Sequence, residues 1–340
     1  MEKQIDQFKV LLIYPNGLLM NPPPISYGIF TALLKEKGYS VELFDTTLYR
    51  KHHTEGSDEV KESSLQVRPF SYESRDVQYI ETDPMEDLIK KINNFKPDLI
   101  CVSILETIYE EVLPVLKTLN TFNIPVLAGS VFSTYAPEVV LGHKCVTMAC
   151  TGEGEDVLLE VCDRLAHGKE WYDIKGLAYI KDRKLIKNAQ GIKKNLDTLP
   201  IPDFSLFEYS RFLRPMGGHV YVTIPMETNR GCPYACAFCY RGAQGERNYR
   251  MRSAKSLRGE VEWLLKTYDL DFVGFPDDNF AVDKRRINLL PEAFEGLKFR
   301  WGTHTRLDEA DERLKDMAAA GCVYIGFGAE SAADTTLTRM

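Results

Sequence analysis

Residues 227–240 read Glu-Thr-Asn-Arg-Gly-Cys-Pro-Tyr-Ala-Cys-Ala-Phe-Cys-Tyr, which sets Cys232, Cys236 and Cys239 at the spacing C-x3-C-x2-C. The preceding residues 220–228 alternate apolar and polar side chains and read as a strand entering a loop. Three thiolates on so short a loop can each bind one iron of a cubane 4Fe-4S cluster, and the fourth iron is then left without a protein ligand. An open iron can bind a substrate or cofactor. Gly231 and Pro233 suit a loop wrapped closely around a bulky inorganic group, and Phe238, just before the last cysteine, could shield the cluster or stack on a planar ligand.

Other readings of the cysteines are weaker on chemical grounds. A structural zinc site wants a fourth Cys or His, and no second C-x2-C or H-x3-H pair lies nearby. A disulfide is disfavoured in a chain that reads as cytosolic. Core cysteines would not sit beside Arg230, Pro233 and Tyr234. An iron-sulfur loop is therefore the expectation.

The spacing, with an aromatic before the third cysteine, resembles the radical S-adenosylmethionine (radical SAM) enzymes. Further stretches resemble the subfamily with an N-terminal cobalamin-binding domain. These are Tyr249-Arg250-Met251-Arg252-Ser253, Phe275-Pro276-Asp277-Asp278-Asn279-Phe280, Trp301 with Arg306 and Asp308, and Gly326-Phe327-Gly328-Ala329-Glu330-Ser331. The resemblance covers most of the chain.

With 340 residues the chain is long enough for two domains, and 44% hydrophobic with 27% charged residues is ordinary globular composition. Against 42 basic residues stand 49 acidic ones, a formal net charge of -7 with no Lys/Arg-rich run, which disfavours nucleic acid as a partner. No apolar run reaches the about 18 residues that a membrane span needs, and the polar start leads straight into a strand. A cytoplasmic location is expected, and Cys101, Cys145 and Cys162 read as small buried hydrophobes.

Residues 1–170 alternate strand and helix. Strands are expected at 9–14, 40–45, 99–103, 126–128 and 145–149, with helices at 27–37, from 85, at 109–120 and at 155–167. This predicts an α/β fold opening on a five-stranded, doubly wound parallel sheet of Rossmann-like type. The polar stretch 46–84 breaks the pattern, and its His52-His53 pair reads as surface. No GxGxxG follows the first strand, so a dinucleotide is disfavoured. Ligands of such sheets lie beyond the carboxyl ends of the strands, where the chain places Pro15, Thr46, Thr47, Ser103, Gly129, Ser130, Thr134, Gly152, Glu153 and Gly154. The Gly-rich turn at 129 and the Gly-Glu-Gly-Glu loop resemble cobalamin-domain signatures, and the resemblance assigns these ten residues to cobalamin. Phe132 stands where many relatives have a histidine, and no Asp-x-His-x-x-Gly segment is present, which implies a lower cobalt face free of histidine.

Residues 171–215 are expected to form a hairpin around Asp182-Arg183 and a Pro-rich linker. Over 216–340 the strand and helix rhythm returns, predicting a partial (β/α) barrel with active-site loops at its C-terminal mouth. By resemblance, Phe238, Tyr240, Asp277, Asp278, Thr303, Arg306 and Glu330 contact S-adenosylmethionine. His304 is a candidate proton carrier near a substrate. About four of the family's six strands are present, so a C-terminally truncated barrel is expected.

The resemblance implies reductive cleavage of S-adenosylmethionine to a 5'-deoxyadenosyl radical, with cobalamin as second cofactor and methyl transfer to an unactivated carbon as the outcome. Implied partners are a small-molecule or peptide substrate and an electron donor such as flavodoxin or ferredoxin. Alternatives are an oxidative cyclase, a radical SAM enzyme with a docking domain that binds no cobalamin, and a non-catalytic metal-binding fragment.

Overall fold

The run Lys-Val-Leu-Leu-Ile-Tyr is apolar on both faces, and it forms β1 (Lys9–Tyr14), a central strand. Its side chains divide between two layers. Leu11 and Ile13 join a core with Leu88, Ile92, Val112 and Leu116, from α2 (Pro84–Phe95) and α3 (Tyr109–Leu119). Val10 and Leu12, also fully buried, belong to the opposite face. There α1 (Ile25–Glu36) packs with α6 (Glu155–Ala166). At the start of α2 the Asp83 carboxylate accepts from the backbone N–H groups of Met85 and Glu86, and Pro84 occupies the first turn.

The remaining strands are β2 (Ser40–Asp45), β3 (Leu99–Ser103), β4 (Val126–Gly129), β5 (Met148–Cys150), β6 (Leu177–Lys181) and β7 (Lys184–Lys187). Their order is β2-β1-β3-β4-β5-β6-β7. The first five run parallel, with the switch point between β1 and β3. Short helices α4 (Val131–Tyr135) and α5 (Pro137–Val140) come after β4. The sheet is two strands wider than expected, because the β6–β7 hairpin joins it antiparallel to β5. β5 has only three residues, and without Leu177 and Ala178 beside it an apolar edge would face water.

This computed structural model describes all residues except 1–4, 18–21, 51–61, 66, 67, 69, 71, 73, 74, 76 and 240–247. His52 and His53 thus lie outside the described residues. Among those described, no helix is long and apolar enough to cross a membrane. The chain divides into two units, residues 1–193 with 200–211 and 215–219, and residues 194–199 with 212–214 and 220–340.

In the first unit, residues 200–211 are a packed strap. Gly28 lets them approach α1, since a Cβ there would lie 2.8 Å from both Pro202 and the Phe204 ring. Asp203 pairs with Lys35 at 2.8 Å, and the buried Arg211 pairs with Asp45 at 2.6 Å.

In the second unit, β9 (His219–Pro225), β12 (Phe272–Phe275), β13 (Trp301–Arg306) and β14 (Cys322–Gly328) are parallel neighbours in that order. β8 (Leu213–Met216) adds a fifth strand beside β9. It carries no clear sequence signature, because Arg214 and Pro215 interrupt its apolar pattern. The helices α7 (Ala254–Thr267), α8 (Lys284–Phe294) and α9 (Arg313–Ala319) come after β9, β12 and β13 in chain order. Phe275, Phe280, Phe294 and the fully buried Trp301 form an aromatic block, with the Trp301 ring 4.9 Å from Phe280 and 5.2 Å from Phe275. Replacing Trp301 with Ala should destabilise this unit by about 3–5 kcal/mol, read as a lowered denaturant midpoint. A midpoint equal to wild type would show that the block is not a main element of its core.

Candidate functional site

The base of the cysteine loop is set by one carboxylate. Asp277, just after β12, accepts from the backbone N–H groups of Thr228 (3.0 Å) and Asn229 (3.2 Å) and from the Thr228 hydroxyl. Its second oxygen also takes the Arg286 guanidinium at 2.7 Å, and both side chains of that pair are at most 2% exposed. Arg286 lies in turn over the Phe280 ring, 3.9 Å from its centroid. The loop entrance, the end of β12 and helix α8 are thereby joined at one point.

A second buried pair braces the same entrance. Arg252 meets Glu260 at 2.5 Å and donates to the Glu227 carbonyl at 3.0 Å, while its own N–H bonds the Thr228 carbonyl. Burial pushes the Glu260 carboxyl up, and the Arg252 charge opposes that shift. The short strands β10 (Asn229–Arg230) and β11 (Arg250–Met251) pair antiparallel beside it. Gly231 comes next with φ of 84°, and a Cβ there would fall 2.0 Å from the Asn248 carbonyl oxygen. Only glycine fits at that crossing.

Beyond Gly231 the loop is held from its far side. Tyr234 donates to the buried Glu309 (3.3 Å), which also accepts from the Asn279 amide (3.1 Å) and the Thr305 hydroxyl (2.7 Å). Arg306, at the end of β13, lies 3.9 Å over the Tyr234 ring. Asp308 takes its Nε (2.9 Å) and Nη2 (2.6 Å), while Nη1 donates to Cys236 Sγ at 3.6 Å. The Asp308 hydrogen bonds hold the Arg306 pKa above its ordinary value, and the guanidinium holds the Asp308 carboxyl below its own.

Cys232, Cys236 and Cys239 are all half-buried free thiols. Burial pushes the Cys232 thiol up, a shift that the Tyr234 backbone hydrogen bond opposes and the neighbouring Asp278, Cys236 and Cys239 reinforce. Among the described residues no group of three or more Cys, His, Asp or Glu side chains is gathered as a single ion would require. A cubane cluster makes a different demand, a separate corner for each sulfur. Cys236 and Cys239 share one tight turn, in which Cys239 N–H bonds the Cys236 carbonyl.

The residues expected to touch S-adenosylmethionine divide in two. Asp277 and Thr303 are buried with their polar atoms engaged, Thr303 donating to the Phe275 carbonyl, so both shape the mouth from below. Asp278, Phe238 and Glu330 are exposed, and Arg306 sits between these groups in half-burial. Tyr240 lies outside the described residues. His304 is exposed and rests against Gly326, where a Cβ would come within 2.4 Å of its ring. Thr228, Tyr234, Arg286 and Glu309 join the site without having been expected there; the Asp and Arg nine positions apart across one strand-to-helix turn carry a signal only for 277 and 286.

In the first unit every residue assigned to cobalamin lies at or beyond the carboxyl edge of the parallel strands. Several are committed internally. Asn16 donates its N–H to the Thr46 hydroxyl and its amide to the Thr47 hydroxyl, and all three side chains are buried. Pro15 and Ser103 are buried beside them. Glu153 accepts from the Lys193 N–H, and Gly154 admits the Phe30 ring, 2.8 Å from where a Cβ would stand. Gly129 has open space beside it, since an added Cβ would meet nothing within 4 Å. Ser130 beside it has φ 90° and ψ -177°, a conformation natural to glycine. The Thr134 hydroxyl donates to the Ser130 carbonyl (3.3 Å) and accepts from Gly152 N–H (3.0 Å), tying these two loops together. Phe132 packs edge-on against Tyr109 and Tyr135.

Asp277→Asn keeps the shape of the hub but leaves Arg286 buried without a counter-charge. The expected cost is about 3–5 kcal/mol, seen as a fall in the anaerobic unfolding midpoint of the metal-free protein. A loss within experimental error would mean that the hub does not hold the loop entrance.

Comparison with known proteins gives this geometry a context. Residues 226–340 match the family model described as the Radical SAM superfamily. An uncharacterised methyltransferase of Pyrococcus horikoshii is 29% identical over 78% of this chain and 59% of its own length. The anaerobic magnesium-protoporphyrin IX monomethyl ester cyclase of Rubrivivax gelatinosus is 30% identical over 77% of this chain and 49% of its own. The chain thus spans about half the length of these relatives. Among solved structures, the cobalamin-dependent S-adenosylmethionine radical enzyme OxsB superposes with a TM-score of 0.73 at 19% identity, over 98% of this chain and 45% of its own. The radical S-adenosylmethionine methyltransferase TsrM from Kitasatospora setae also gives 0.73, at 18% identity, over 97% of this chain and 60% of its own. The match to the Radical SAM superfamily thus falls on residues 226–340, which carry the cysteine loop, and the chain shares the fold of OxsB and TsrM.

Proposed function

We propose that the protein is a cobalamin-dependent radical SAM enzyme that transfers a methyl group to an unactivated carbon. The observation that carries this reading is the C-x3-C-x2-C loop at the carboxyl edge of a parallel sheet, held at its entrance by Asp277 and at its far side by Arg306 and Glu309. When bound, a 4Fe-4S cluster and S-adenosylmethionine supply a 5'-deoxyadenosyl radical, with the electron drawn from a donor of flavodoxin or ferredoxin type.

The residues of this chain have distinct parts. Cys232, Cys236 and Cys239 would hold three irons of the cluster and leave one iron for the cofactor. Asp278, Phe238 and Glu330, exposed at the mouth, bind and shield that cofactor, while Asp277 and Thr303 fix the strand ends that present them. In the first unit, the open face over Gly129 and the strained backbone of Ser130 fit close approach of a large planar group or its nucleotide tail. Thr46 and Thr47 support that edge from within. Oxidative ring closure is the second reading, favoured by the likeness to the Rubrivivax cyclase.

The test is anaerobic reconstitution with iron, sulfide and hydroxocobalamin, and then reduction in the presence of S-adenosylmethionine. Chromatography with mass detection should find 5'-deoxyadenosine from wild type and none from Cys232→Ala, with about one cobalt per chain retained in both. No 5'-deoxyadenosine from a cluster-loaded wild type would refute the radical SAM activity. Cleavage without retained cobalt would leave a radical SAM enzyme and remove cobalamin from the account.

A further inference from the structure

Arg306 divides its donors in a way that S-adenosylmethionine binding alone does not require. Asp308 occupies the Nε and Nη2 edge, the Tyr234 ring lies under the guanidinium plane, and the remaining nitrogen, Nη1, is directed at Cys236 Sγ. The ring beneath it is fixed independently, since the Tyr234 hydroxyl is bound by Glu309, itself tied to Asn279 and Thr305. A permanently positive group is thus held against the sulfur of one cysteine of the proposed cluster.

We propose that Arg306 raises the reduction potential of the cluster held by Cys232, Cys236 and Cys239. The inference rests on the iron-sulfur reading of these cysteines and adds a tuning role. Hydrogen bonds to cluster sulfurs and nearby positive charge stabilise the reduced form, which carries one more negative charge than the oxidised form. A guanidinium stays charged throughout the working pH range, so its influence does not titrate away. The carboxylate of Asp308 moderates the field and also orients the fork, which keeps Nη1 on the sulfur. The consequence is a cluster that a modest donor can reduce, at some loss of driving force toward the sulfonium.

The test uses the anaerobically reconstituted full chain and tracks the reduced-cluster electron paramagnetic resonance signal through a redox titration. Arg306→Gln should shift the one-electron equilibrium about tenfold toward the oxidised cluster, which is a midpoint roughly 59 mV more negative, with iron and sulfide content unchanged. Arg306→Lys keeps the charge but not the fork, and should shift the same way by less. A wild-type midpoint in a cluster-loaded Arg306→Gln variant, or a shift to more positive potential, overturns the proposal. If Arg306→Gln holds no cluster, the Lys variant decides, and a wild-type midpoint there overturns it. Failure of wild type itself to assemble a four-iron cluster would instead bring down the iron-sulfur reading, and this inference with it.

Discussion

The charge of Asp277 is the constraint on which the second unit depends. One buried carboxylate receives two backbone N–H groups and a hydroxyl from the loop entrance and a guanidinium from helix α8. Buried charge is costly unless every lone pair is used, and here four donors meet one group. The arrangement fixes where the chain leaves β9 and turns toward the cysteines. A loop that must present three thiols at set spacings needs such an origin, because its own residues are too exposed to define one.

From that origin the loop leaves the core by degrees. Thr228 and Asn229 are buried, Cys232, Cys236 and Cys239 half-buried, and Phe238 exposed. Glu309 and Arg306 then catch the exposed stretch through Tyr234 and Cys236. The loop is thus tied at both sides by residues from strand ends, while the Phe238 side chain between Cys236 and Cys239 stays exposed. Preorganisation of this kind lowers the ordering cost when a cluster is assembled, since part of the loop's entropy is already spent.

Much of this is legible in the sequence, for reasons that differ from element to element. The central strands declare themselves by unbroken apolar runs such as 9–14, and the helices by capping residues and periodic faces. β8 does not, because a strand of four residues containing Arg and Pro has no period to read, and the place of the β6–β7 hairpin in the sheet depends on an edge that only assembly creates. At the site, cysteine spacing announces chemistry directly. Asp277 is harder to read: a carboxylate at a strand end suggests a ligand contact, yet Thr228 comes from 49 residues away with no marker of its own, and only the nine-residue spacing to Arg286 hints at the pair. The same holds for Thr46 and Thr47, whose hydroxyls turn inward to Asn16. Single-residue signals show where chemistry gathers, while the division between contact and support is set by packing.

The account stands or falls on an iron left open by three cysteines. The direct measurement is the electron paramagnetic resonance spectrum of the reduced, iron-reconstituted protein, recorded before and after addition of S-adenosylmethionine. A four-iron signal that changes on addition, and that is absent when Cys232, Cys236 and Cys239 are replaced by Ala, is the predicted result. A signal indifferent to S-adenosylmethionine, or bound zinc in place of a cluster, would contradict it.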